Sequence, residues 1–372
     1  MKVVLCGGGT GGHVYPALTV AAALKERYGD TEPIDILYIG VRGRIDRQLV
    51  EREGLPFRAV TAGPLRVGSI AGTAKGGMRL GAGSLQAFSL LGQFKPDVVF
   101  ATGGFGSVGV AFAARARRLP LILFEPGPES GLAVKLLSKA ASKIIVTIPS
   151  ALGHMPAAKT QLIGYPVRPA FFEATREEGR RRLGLDQNLP VLLISGASSG
   201  ASRLNEAVAP WLADFLRIGQ VIHLCGVRDE EWLKGLREGM AEEVRGRYHV
   251  YGYLHEEMPS ALAAADLAVM RSGASVLGEL PAAGLPAILV PGEYEGWDQS
   301  ANARYLEDQG ASVMLRQAEI DHLHGLVMEL LADTARRERM KQVLASLARP
   351  NAANEIADVI ARTAGVKTGA PA

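Results

Sequence analysis

Cysteine is nearly absent from this chain of 372 residues, which carries only Cys6 and Cys225. The two lie far apart, each inside an apolar run, so the sequence predicts neither a disulfide framework nor a cysteine metal site. Asp-x-Asp pairs and clustered histidine and cysteine ligands are missing too, and we expect no metal ion and no other cofactor. This composition suits a reducing cytoplasm.

A strong charge of one sign and long apolar runs are also missing. The 41 Lys and Arg residues nearly balance 38 Asp and Glu residues, and the net charge of +3 is too small to predict nucleic-acid binding. No run of about 18 apolar residues predicts a membrane span, and no secretion signal follows Met1. Any membrane contact is therefore expected to be peripheral.

What the chain does contain is two series of short apolar runs with helix-period segments between them, which predicts parallel, doubly wound sheets. Single hydrophobic cores stop growing at roughly 250 to 300 residues, so this length favours two domains. The α/β fold class follows. The predicted strands are Val3–Cys6, Ile34–Ile39, Asp97–Phe100, Leu121–Phe124 and Ile144–Thr147, then Val191–Ser195, Val221–Leu224, His249–Tyr251, Leu267–Met270 and Ala287–Pro291.

The predicted domain boundary lies in Gly164-Tyr-Pro-Val-Arg-Pro169, where two prolines resist regular structure. Thr175-x-x-Glu178 follows as a capping box that opens a charged helix. We expect an N-terminal domain over 1–167 and a C-terminal domain over 168–349. A last helix at about 350–364 is expected to return to the first domain, although its pattern alone allows either.

A glycine-rich turn, Gly7-Gly-Gly-Thr-Gly-Gly-His13, follows the first predicted strand and precedes a helix that Pro16 is expected to start. Glycines let the backbone approach a ligand, and the exposed N–H groups favour an anion or a hydroxyl. A dinucleotide turn would need an acidic residue at the end of the second strand, where Val41 and Arg42 stand. His13 is the candidate general base, although a lone histidine often only hydrogen-bonds a loop carbonyl.

Two further glycine turns follow predicted strands, at 103–107 and at 196–201. Turns at the carboxyl ends of strands in two Rossmann-like domains predict ligands in a cleft that the domains face, one of them phosphorylated.

In the second half, Arg271-Ser-Gly-Ala-Ser275 follows a strand, with Glu279 on the next helix. We expect the turn and Arg271 to face a diphosphate and Glu279 to accept hydrogen bonds from a ribose diol, although a surface arginine and glutamate could give the same pattern. Polar residues after Pro291, among them Gln299, are placed to bind sugar hydroxyls. Without a metal site, backbone N–H groups and Arg271 would neutralise the leaving group.

Together the motifs resemble those of the MurG glycosyltransferase family, over essentially residues 1–362, and the combination is specific where each motif alone is not. They are Gly8-Gly-Thr-Gly-Gly-His13-Val-Tyr-Pro16, Lys95-Pro-Asp-Val-Val99, Gly103-Gly-Phe-Gly106, Gly164-Tyr-Pro-Val-Arg168, Arg271-Ser-Gly-Ala274 with Glu279, Ala282-Ala-Gly-Leu-Pro286 and Gln299-x-x-Asn302-Ala303.

The resemblance implies the GT-B fold and inverting transfer of N-acetylglucosamine (GlcNAc) from UDP-GlcNAc to the C4 hydroxyl of N-acetylmuramic acid (MurNAc) in lipid I, the undecaprenyl-pyrophosphoryl-MurNAc-peptide. The product would be lipid II, for peptidoglycan synthesis at the cytoplasmic face of the membrane. His13 would be the base. Donor contacts would come from Thr10, Gly11, Gly12, Gly127, Arg168, Ser198, Ser199, Leu254, His255, Arg271, Ala274, Ser275, Glu279 and Gln299, and acceptor contacts from Gly9, Gly103, Gly104, Phe105 and Gly106.

Three positions depart from the family pattern: Gly127 replaces a common asparagine, Ser199 a common glutamine and Phe105 a common tyrosine. The identity of the donor sugar is therefore less firmly predicted than the type of reaction. A glycosyltransferase with another lipid acceptor, such as a diacylglycerol glucosyltransferase, and a catalytically silent nucleotide-sugar-binding scaffold are the alternatives.

A membrane-facing surface is expected in the stretch 65–94, where Arg66, Lys75 and Arg79 lie beside apolar residues such as Met78 and Phe88. Cations beside an apolar helix face suit anionic lipid head groups. The same pattern also fits a helix whose apolar residues belong to the core.

Overall fold

The computed structural model describes residues 1–9, 11–63, 70–128, 132–196, 201–294 and 297–366. Two compact units divide the chain: the first comprises Met1–Val167 and the segment from Asn351 onward, and the second is Arg168–Pro350. Each unit is an α/β domain with its own parallel sheet.

The first unit contains a seven-stranded sheet in the order β3-β2-β1-β4-β5-β6-β7, with every strand pair parallel. Strand order reverses between β1 and β4, which are neighbours in the sheet. The elements are β1 Lys2–Cys6, α1 Gly11–Tyr28, β2 Asp35–Val41, α2 Asp46–Arg52, β3 Phe57–Val60, α3 Ile70–Phe94, β4 Val98–Ala101, α4 Phe105–Ala116, β5 Leu121–Glu125, α5 Leu132–Ala140, β6 Lys143–Val146 and β7 Thr160–Leu162, with 3₁₀ turns at Pro149–His154 and Ala157–Lys159.

The second unit repeats this plan with a six-stranded parallel sheet in the order β10-β9-β8-β11-β12-β15 and a short antiparallel pair, β13–β14. Its elements are α6 Ala170–Glu173, α7 Arg176–Arg182, β8 Val191–Ser195, α8 Ser202–Val208, α9 Leu212–Ile218, β9 Gln220–Leu224, α10 Glu230–Glu238, α11 Glu242–Arg245, β10 Tyr248–Tyr251, α12 Met258–Ala264, β11 Leu267–Met270, α13 Val276–Ala283, β12 Ala287–Leu289, β13 Glu293–Tyr294, β14 Trp297–Asp298, α14 Ser300–Asp308, β15 Ser312–Met314, α15 Leu323–Ala332 and α16 Thr334–Leu347, with 3₁₀ turns at Ala209–Trp211 and Gln317–His322.

Central strands of both sheets are buried on both faces, as the apolar strand runs predict. Every residue of β4, β5, β8 and β11 is buried. All ten predicted strands are present, within a few residues of the expected bounds. The sequence reading missed the edge strands β3, β7 and β15 and the pair β13–β14, which are too short to show a pattern.

The last helix, α17 (Ala352–Thr363), packs against α1 in the first unit. Asp358 on α17 accepts hydrogen bonds from Arg27 Nε (2.9 Å) and from the Tyr28 hydroxyl (2.6 Å). Apolar burial along α17 and this polar cluster together fix the helix on α1.

The predicted helix start at Thr175 is confirmed in the second unit, where Thr175 Oγ1 accepts from the Glu178 N–H at the beginning of α7, whereas the Glu178 carboxylate contacts Arg181. One turn later, Arg180 is fully buried. Its guanidinium donates to Asp266 (2.7 Å) and to four backbone carbonyls, those of Asp186, Gln187, Leu189 and Ala264. Arg180 thereby ties α7 to the amino-terminal ends of β8 and β11.

The expectation that Pro16 starts the first helix is wrong, because α1 begins at Gly11 and Pro16 lies inside it. A proline there cannot donate to the carbonyl four residues earlier, which belongs to Gly12. The hydroxyl of Tyr165 donates to that carbonyl instead, at 3.2 Å. A tertiary contact thus satisfies the carbonyl that would otherwise disfavour proline at this position.

Candidate active site

In the first unit, the candidate site lies at the carboxyl edge of the sheet, where the turns after β1 and β4 meet. Gly8 and Gly9 have φ of 145° and 99°, and Gly103 and Gly104 have φ of 86° and 74°. A Cβ on Gly104 would lie 2.5 Å from the Gly8 carbonyl oxygen, so the two turns approach backbone to backbone. Glycine is required here both by conformation and by space.

His13 lies in the first turn of α1 and is half-buried against the turn after β4. Its Nδ1 is 2.7 Å from the carbonyl oxygen of Thr102. Because a carbonyl can only accept, Nδ1 carries the proton, and the neutral imidazole has its lone pair on Nε2. A Cβ on Gly103 or Gly104 would lie 3.3 Å or 3.2 Å from the nearest ring carbon, so these two glycines leave room for the imidazole.

Burial lowers the pKa of His13 below its ordinary value of 6.5, and the Thr102 carbonyl and the charge of Asp46 oppose that shift. The imidazole is therefore neutral at neutral pH, with its proton on Nδ1, and can accept a second proton through Nε2. The geometry and the charge state both fit a general base.

Asp46, which was not among the predicted site residues, supports the first glycine turn through hydrogen bonds. It is fully buried, and its two oxygens accept from the N–H groups of Gly9 (3.0 Å) and Val41 (2.9 Å). A Cβ on Gly8 would lie 2.0 Å from Asp46 Oδ2. The N–H of Gly9, a predicted acceptor contact, is thus engaged by this carboxylate.

Glu125 ends β5 at the same edge of the sheet and was also missed. It is 4% exposed, and Oε1 accepts from the Gly127 N–H at 3.2 Å, while Oε2 is buried without a hydrogen-bond partner among the described residues. Burial raises the pKa of Glu125 to about 8. Gly127, a predicted donor contact, is therefore held by an acidic side chain that carries its proton at neutral pH.

The remaining predicted acceptor residues differ in exposure. Phe105 is 48% exposed at the start of α4. Gly106 is buried, and a Cβ there would lie 2.7 Å from a methyl group of Val41. Gly11 and Gly12, which are predicted donor contacts, are buried and half-buried in the first turn of α1. Phe105 is thus the predicted acceptor residue with the most accessible side chain.

In the second unit, the structure brings three predicted donor residues together: Arg168, His255 and Glu279. Arg168 Nη2 donates to the His255 carbonyl oxygen at 3.1 Å. Burial raises the pKa of Glu279 to about 7, although a hydrogen bond from Ser275 and the charge of Arg168 both favour its ionised form. Leu254, which precedes His255 in the sequence, and Ala274, which precedes Ser275, are both half-buried.

Arg271 and Gln299, also predicted donor residues, are both buried, at 5% exposure each. Arg271 Nη1 donates to the carbonyl oxygens of Val290 (3.2 Å) and Pro291 (2.8 Å), so the guanidinium supports the loop after β12. Gln299 Oε1 accepts from the Gly292 N–H at 3.0 Å in that loop. Asn302 Nδ2 donates to the Ser272 carbonyl oxygen (2.8 Å), which links α14 to the turn after β11. Thr10, Ser198 and Ser199 lie outside the described residues.

A buried polar network, unforeseen from the sequence, supports the start of α8. His223 Nε2 pairs with Asn205 Oδ1 (3.1 Å) and Nδ1 with the Tyr248 hydroxyl (2.8 Å), and burial lowers the pKa of His223 to about 3. Asn205 Nδ2 and Ser202 Oγ both donate to Asp229. These residues are far apart in sequence, so no local pattern identifies them.

Over the parts of the chain that the structure describes, no cluster of three or more His, Cys, Asp or Glu side chains is arranged to hold a metal ion. The described helices also include none that combines the length and apolar character needed to cross a bilayer. Cys6 and Cys225 are both buried as free thiols.

Family models match both units. The description "Glycosyltransferase family 28 N-terminal domain" applies to residues 3–146, and "Glycosyltransferase family 28 C-terminal domain" to residues 191–361. The first match contains His13 and the first two glycine turns. The second contains Arg271, Glu279 and Gln299.

Curated relatives are similar over nearly the whole chain. A protein of Desulforudis audaxviator is 38% identical, covering 99% of this chain and 100% of the relative. One of Halothermothrix orenii is 36% identical, covering 98% and 99%. Both are named UDP-N-acetylglucosamine--N-acetylmuramyl-(pentapeptide) pyrophosphoryl-undecaprenol N-acetylglucosamine transferase.

Solved structures share the fold. MurG of Acinetobacter baumannii superposes with a TM-score of 0.71 at 23% identity, covering 97% of this chain and 99% of that one. A UDP-GlcNAc 2-epimerase from Neisseria meningitidis bound to UDP-GlcNAc gives the same TM-score at 14% identity, covering 97% and 100%. The fold is thus GT-B, and the matches in sequence make this chain a member of glycosyltransferase family 28, in the MurG family of N-acetylglucosaminyltransferases.

Proposed function

We propose that this enzyme transfers GlcNAc from UDP-GlcNAc to the C4 hydroxyl of MurNAc in lipid I and so forms lipid II for peptidoglycan synthesis. The observation that carries the proposal is the 38% identity to a relative of that activity over 99% of the chain. The neutral His13, held at the glycine turns of the first unit, supplies the base that such a transfer needs.

In the proposed reaction, His13 Nε2 accepts the proton of the acceptor C4 hydroxyl as its oxygen attacks C1 of GlcNAc. The bond from C1 to the UDP oxygen breaks as the new glycosidic bond forms, so the anomeric configuration inverts. UDP leaves with the bonding electron pair, and the proton on His13 passes to water. The lowered pKa of His13 suits this role, because the imidazole must be neutral, with Nε2 unprotonated, before it acts.

Donor binding is proposed for the second unit. Glu279 would accept hydrogen bonds from the ribose diol, and the adjacent charge of Arg168 favours the ionised carboxylate that this contact needs. Gln299, Arg271 and the turn before α13 would surround the sugar and the diphosphate. Since Arg271 Nη1 donates to loop carbonyls, its proposed contribution is partly to hold that loop in place.

Transfer of label from UDP-GlcNAc to a soluble lipid I analogue tests the function. His13→Ala is expected to lower kcat by about 10²- to 10⁴-fold, because it removes the general base. His154→Ala is the matched control, since His154 is exposed in the same unit and is expected to leave turnover unchanged. Donor binding without transfer by the unaltered enzyme would contradict the proposal and favour the silent scaffold, and transfer to diacylglycerol in preference to the analogue would favour the other glycosyltransferase.

Peripheral attachment to the cytoplasmic face of the cell membrane is the second part of the proposal, because the acceptor is lipid-linked. On α3, Met78, Leu85 and Phe88 are 69%, 74% and 41% exposed, and their spacing of seven and three places them on one helix face. On α4, Phe105 and Phe112, seven apart, are 48% and 41% exposed.

Cations border this apolar surface. The Arg117 guanidinium lies 3.8 Å from the centroid of the Phe88 ring and donates to the Phe88 carbonyl oxygen. Arg115 and Arg118 are exposed next to it. Apolar side chains beside arginines suit insertion among anionic lipid head groups.

Co-sedimentation with phosphatidylglycerol vesicles tests the surface. Leu85→Asp is expected to weaken binding at least fivefold, since it places a negative charge on the exposed apolar face. Val227→Asp is the matched control, because Val227 is 75% exposed but belongs to the second unit. Equal binding by both variants would contradict the assignment of this surface.

A further inference from the structure

We propose that Thr102 is the positioning residue of the base: its two oxygens fix both the tautomer of His13 and the place of its main chain. The inference rests on the proposed function for its catalytic consequence. Its structural part, the tautomer, can be measured without any turnover.

Thr102 lies where the two glycine turns of the first unit meet. It directly follows β4, is fully buried, and its N–H donates to the Cys6 carbonyl oxygen at 2.8 Å. That bond continues the pairing of β1 with β4 beyond the end of the strands. Thr102 is thus attached to the sheet itself, so a group that it binds is positioned by a rigid element of the fold.

Each oxygen of Thr102 contacts a different part of His13. The carbonyl oxygen accepts from the ring at Nδ1 (2.7 Å), and the side-chain hydroxyl donates to the His13 carbonyl oxygen (2.6 Å). The first contact selects the Nδ1–H tautomer, and the second fixes the backbone from which the ring projects. In water a neutral imidazole interconverts freely between tautomers, so a base with its lone pair on Nε2 needs such a partner.

Space around the hydroxyl is too tight for a carbon. A Cβ on Gly7 would lie 2.1 Å from Thr102 Oγ1. A methyl group in place of the hydroxyl would face the His13 carbonyl oxygen at 2.6 Å, whereas carbon and oxygen approach to about 3.3 Å at closest. Thr102→Val therefore has to separate the turn from α1 by several tenths of an ångström, and the ring contact lengthens with it.

The test compares Thr102→Val with Thr102→Ser, which keeps the hydroxyl and loses only a methyl group. For Val we expect kcat to fall about ten- to hundredfold, with both KM values within about twofold, because a shift near 1 Å at a reacting group costs up to about 10²-fold in rate. For Ser we expect a kcat within threefold of the unaltered enzyme. A Val variant that keeps its kcat, or that loses activity only through KM, overturns the proposal.

Tyr165→Phe separates positioning from general loosening of α1. It removes the hydroxyl that donates to the Gly12 carbonyl oxygen, yet retains the ring that packs edge-on against Phe124. We expect it to lower thermal stability about as much as Thr102→Val while leaving the His13 tautomer unchanged. If Tyr165→Phe alters the tautomer and kcat as Thr102→Val does, the specific role of Thr102 is refuted.

Long-range ¹⁵N–¹H spectra of ¹⁵N-histidine-labelled protein read the tautomer directly, with the His13 signals assigned by their loss in His13→Gln. The unaltered protein is expected to show a protonated Nδ1 and an unprotonated Nε2, and Thr102→Val a mixture of tautomers. A dominant Nε2–H form in the unaltered protein overturns the inference even if transfer is observed. The expected tautomer without any transfer would refute the proposed function and leave the positioning of His13 supported.

Discussion

Glu125→Gln is expected to change the pH dependence of stability, because it removes a buried carboxyl that titrates differently in the folded and unfolded protein. The carboxyl is 4% exposed at the end of β5, and burial raises its pKa from 4.5 to about 8. The folded protein therefore holds a proton at neutral pH that the unfolded chain releases. Glutamine keeps the oxygen that accepts from Gly127 but cannot titrate.

The direction and size of this change in stability with pH follow from proton linkage. Because the folded state has the higher pKa, the carboxyl destabilises the fold progressively as pH rises above 4.5, until the pKa of about 8 is reached. Each pH unit in that window is worth about 1.4 kcal/mol, so the change between pH 4.5 and pH 7 is about 3 kcal/mol. The buried amide of the Gln variant adds a constant offset that does not vary with pH.

Urea unfolding followed by circular dichroism, at intervals from pH 4.5 to pH 8, measures this effect. The free energy of unfolding of Glu125→Gln is expected to rise relative to the unaltered protein by about 3 kcal/mol between pH 4.5 and pH 7. A difference that is constant with pH, or that moves in favour of the unaltered protein, would refute the reasoning from burial.

Asp46→Asn is the contrasting substitution at the same edge of the sheet. Asp46 is also fully buried, but both of its oxygens accept from backbone N–H groups. An asparagine would point an NH₂ group at one of these donors, so we expect a loss of about 1 to 3 kcal/mol at pH 7. If Asp46→Asn and Glu125→Gln both stabilised the protein at pH 7, burial alone, and not hydrogen bonding, would decide whether such a substitution raises or lowers the free energy of unfolding.

Two further predictions concern the second unit. The pKa of Glu279 is about 7, and its ionised form is proposed to bind the ribose, so the KM for UDP-GlcNAc should rise nearly tenfold per pH unit as the pH falls below 7. Glu279→Gln should have a KM for UDP-GlcNAc that is high and independent of pH. A Glu279→Gln variant with the same dependence of KM on pH as the unaltered enzyme would contradict the ribose contact. Arg180→Met should cost about 3 to 5 kcal/mol in urea unfolding, because it removes the buried guanidinium that donates to Asp266 and to four backbone carbonyls. Arg181→Met, at a side chain 77% exposed, should change stability by less than about 0.5 kcal/mol. Similar values for both variants would contradict the role of the buried guanidinium.

Local patterns in the sequence were sufficient to predict the strands of the two α/β domains. The ten predicted strands are short apolar runs of the kind that the central strands of a parallel sheet contain, and the N-cap contact of Thr175 needs only its own helix. Short edge strands such as β3 were missed, since a strand of four residues is too short to show an apolar period. The prediction that Pro16 starts α1 was wrong because the hydroxyl of Tyr165, distant in sequence, donates to the Gly12 carbonyl oxygen that the missing N–H of Pro16 cannot reach.

Residues that support the candidate base could not be read from the sequence. Thr102 is 89 positions from His13, and Asp46 is 37 positions from Gly9, yet each pair is joined by a hydrogen bond. Nothing local distinguishes Glu125 from an ordinary strand-end glutamate, and only its burial raises its pKa. Arg271 shows the converse case, because the sequence predicts a phosphate contact and the structure shows Nη1 donating to two carbonyls.

The sequence by itself determined the two α/β domains, the glycine turns, His13 as candidate base and the family, because strand periodicity and turn chemistry depend on residues close together in the chain. Only the tertiary structure decided which nitrogen of His13 carries the proton, which buried carboxyl has both oxygens hydrogen-bonded and which has only one, and what holds the first turn of α1. Those properties depend on contacts between strands that are neighbours in the sheet but distant in sequence, and on how far the fold removes each group from water.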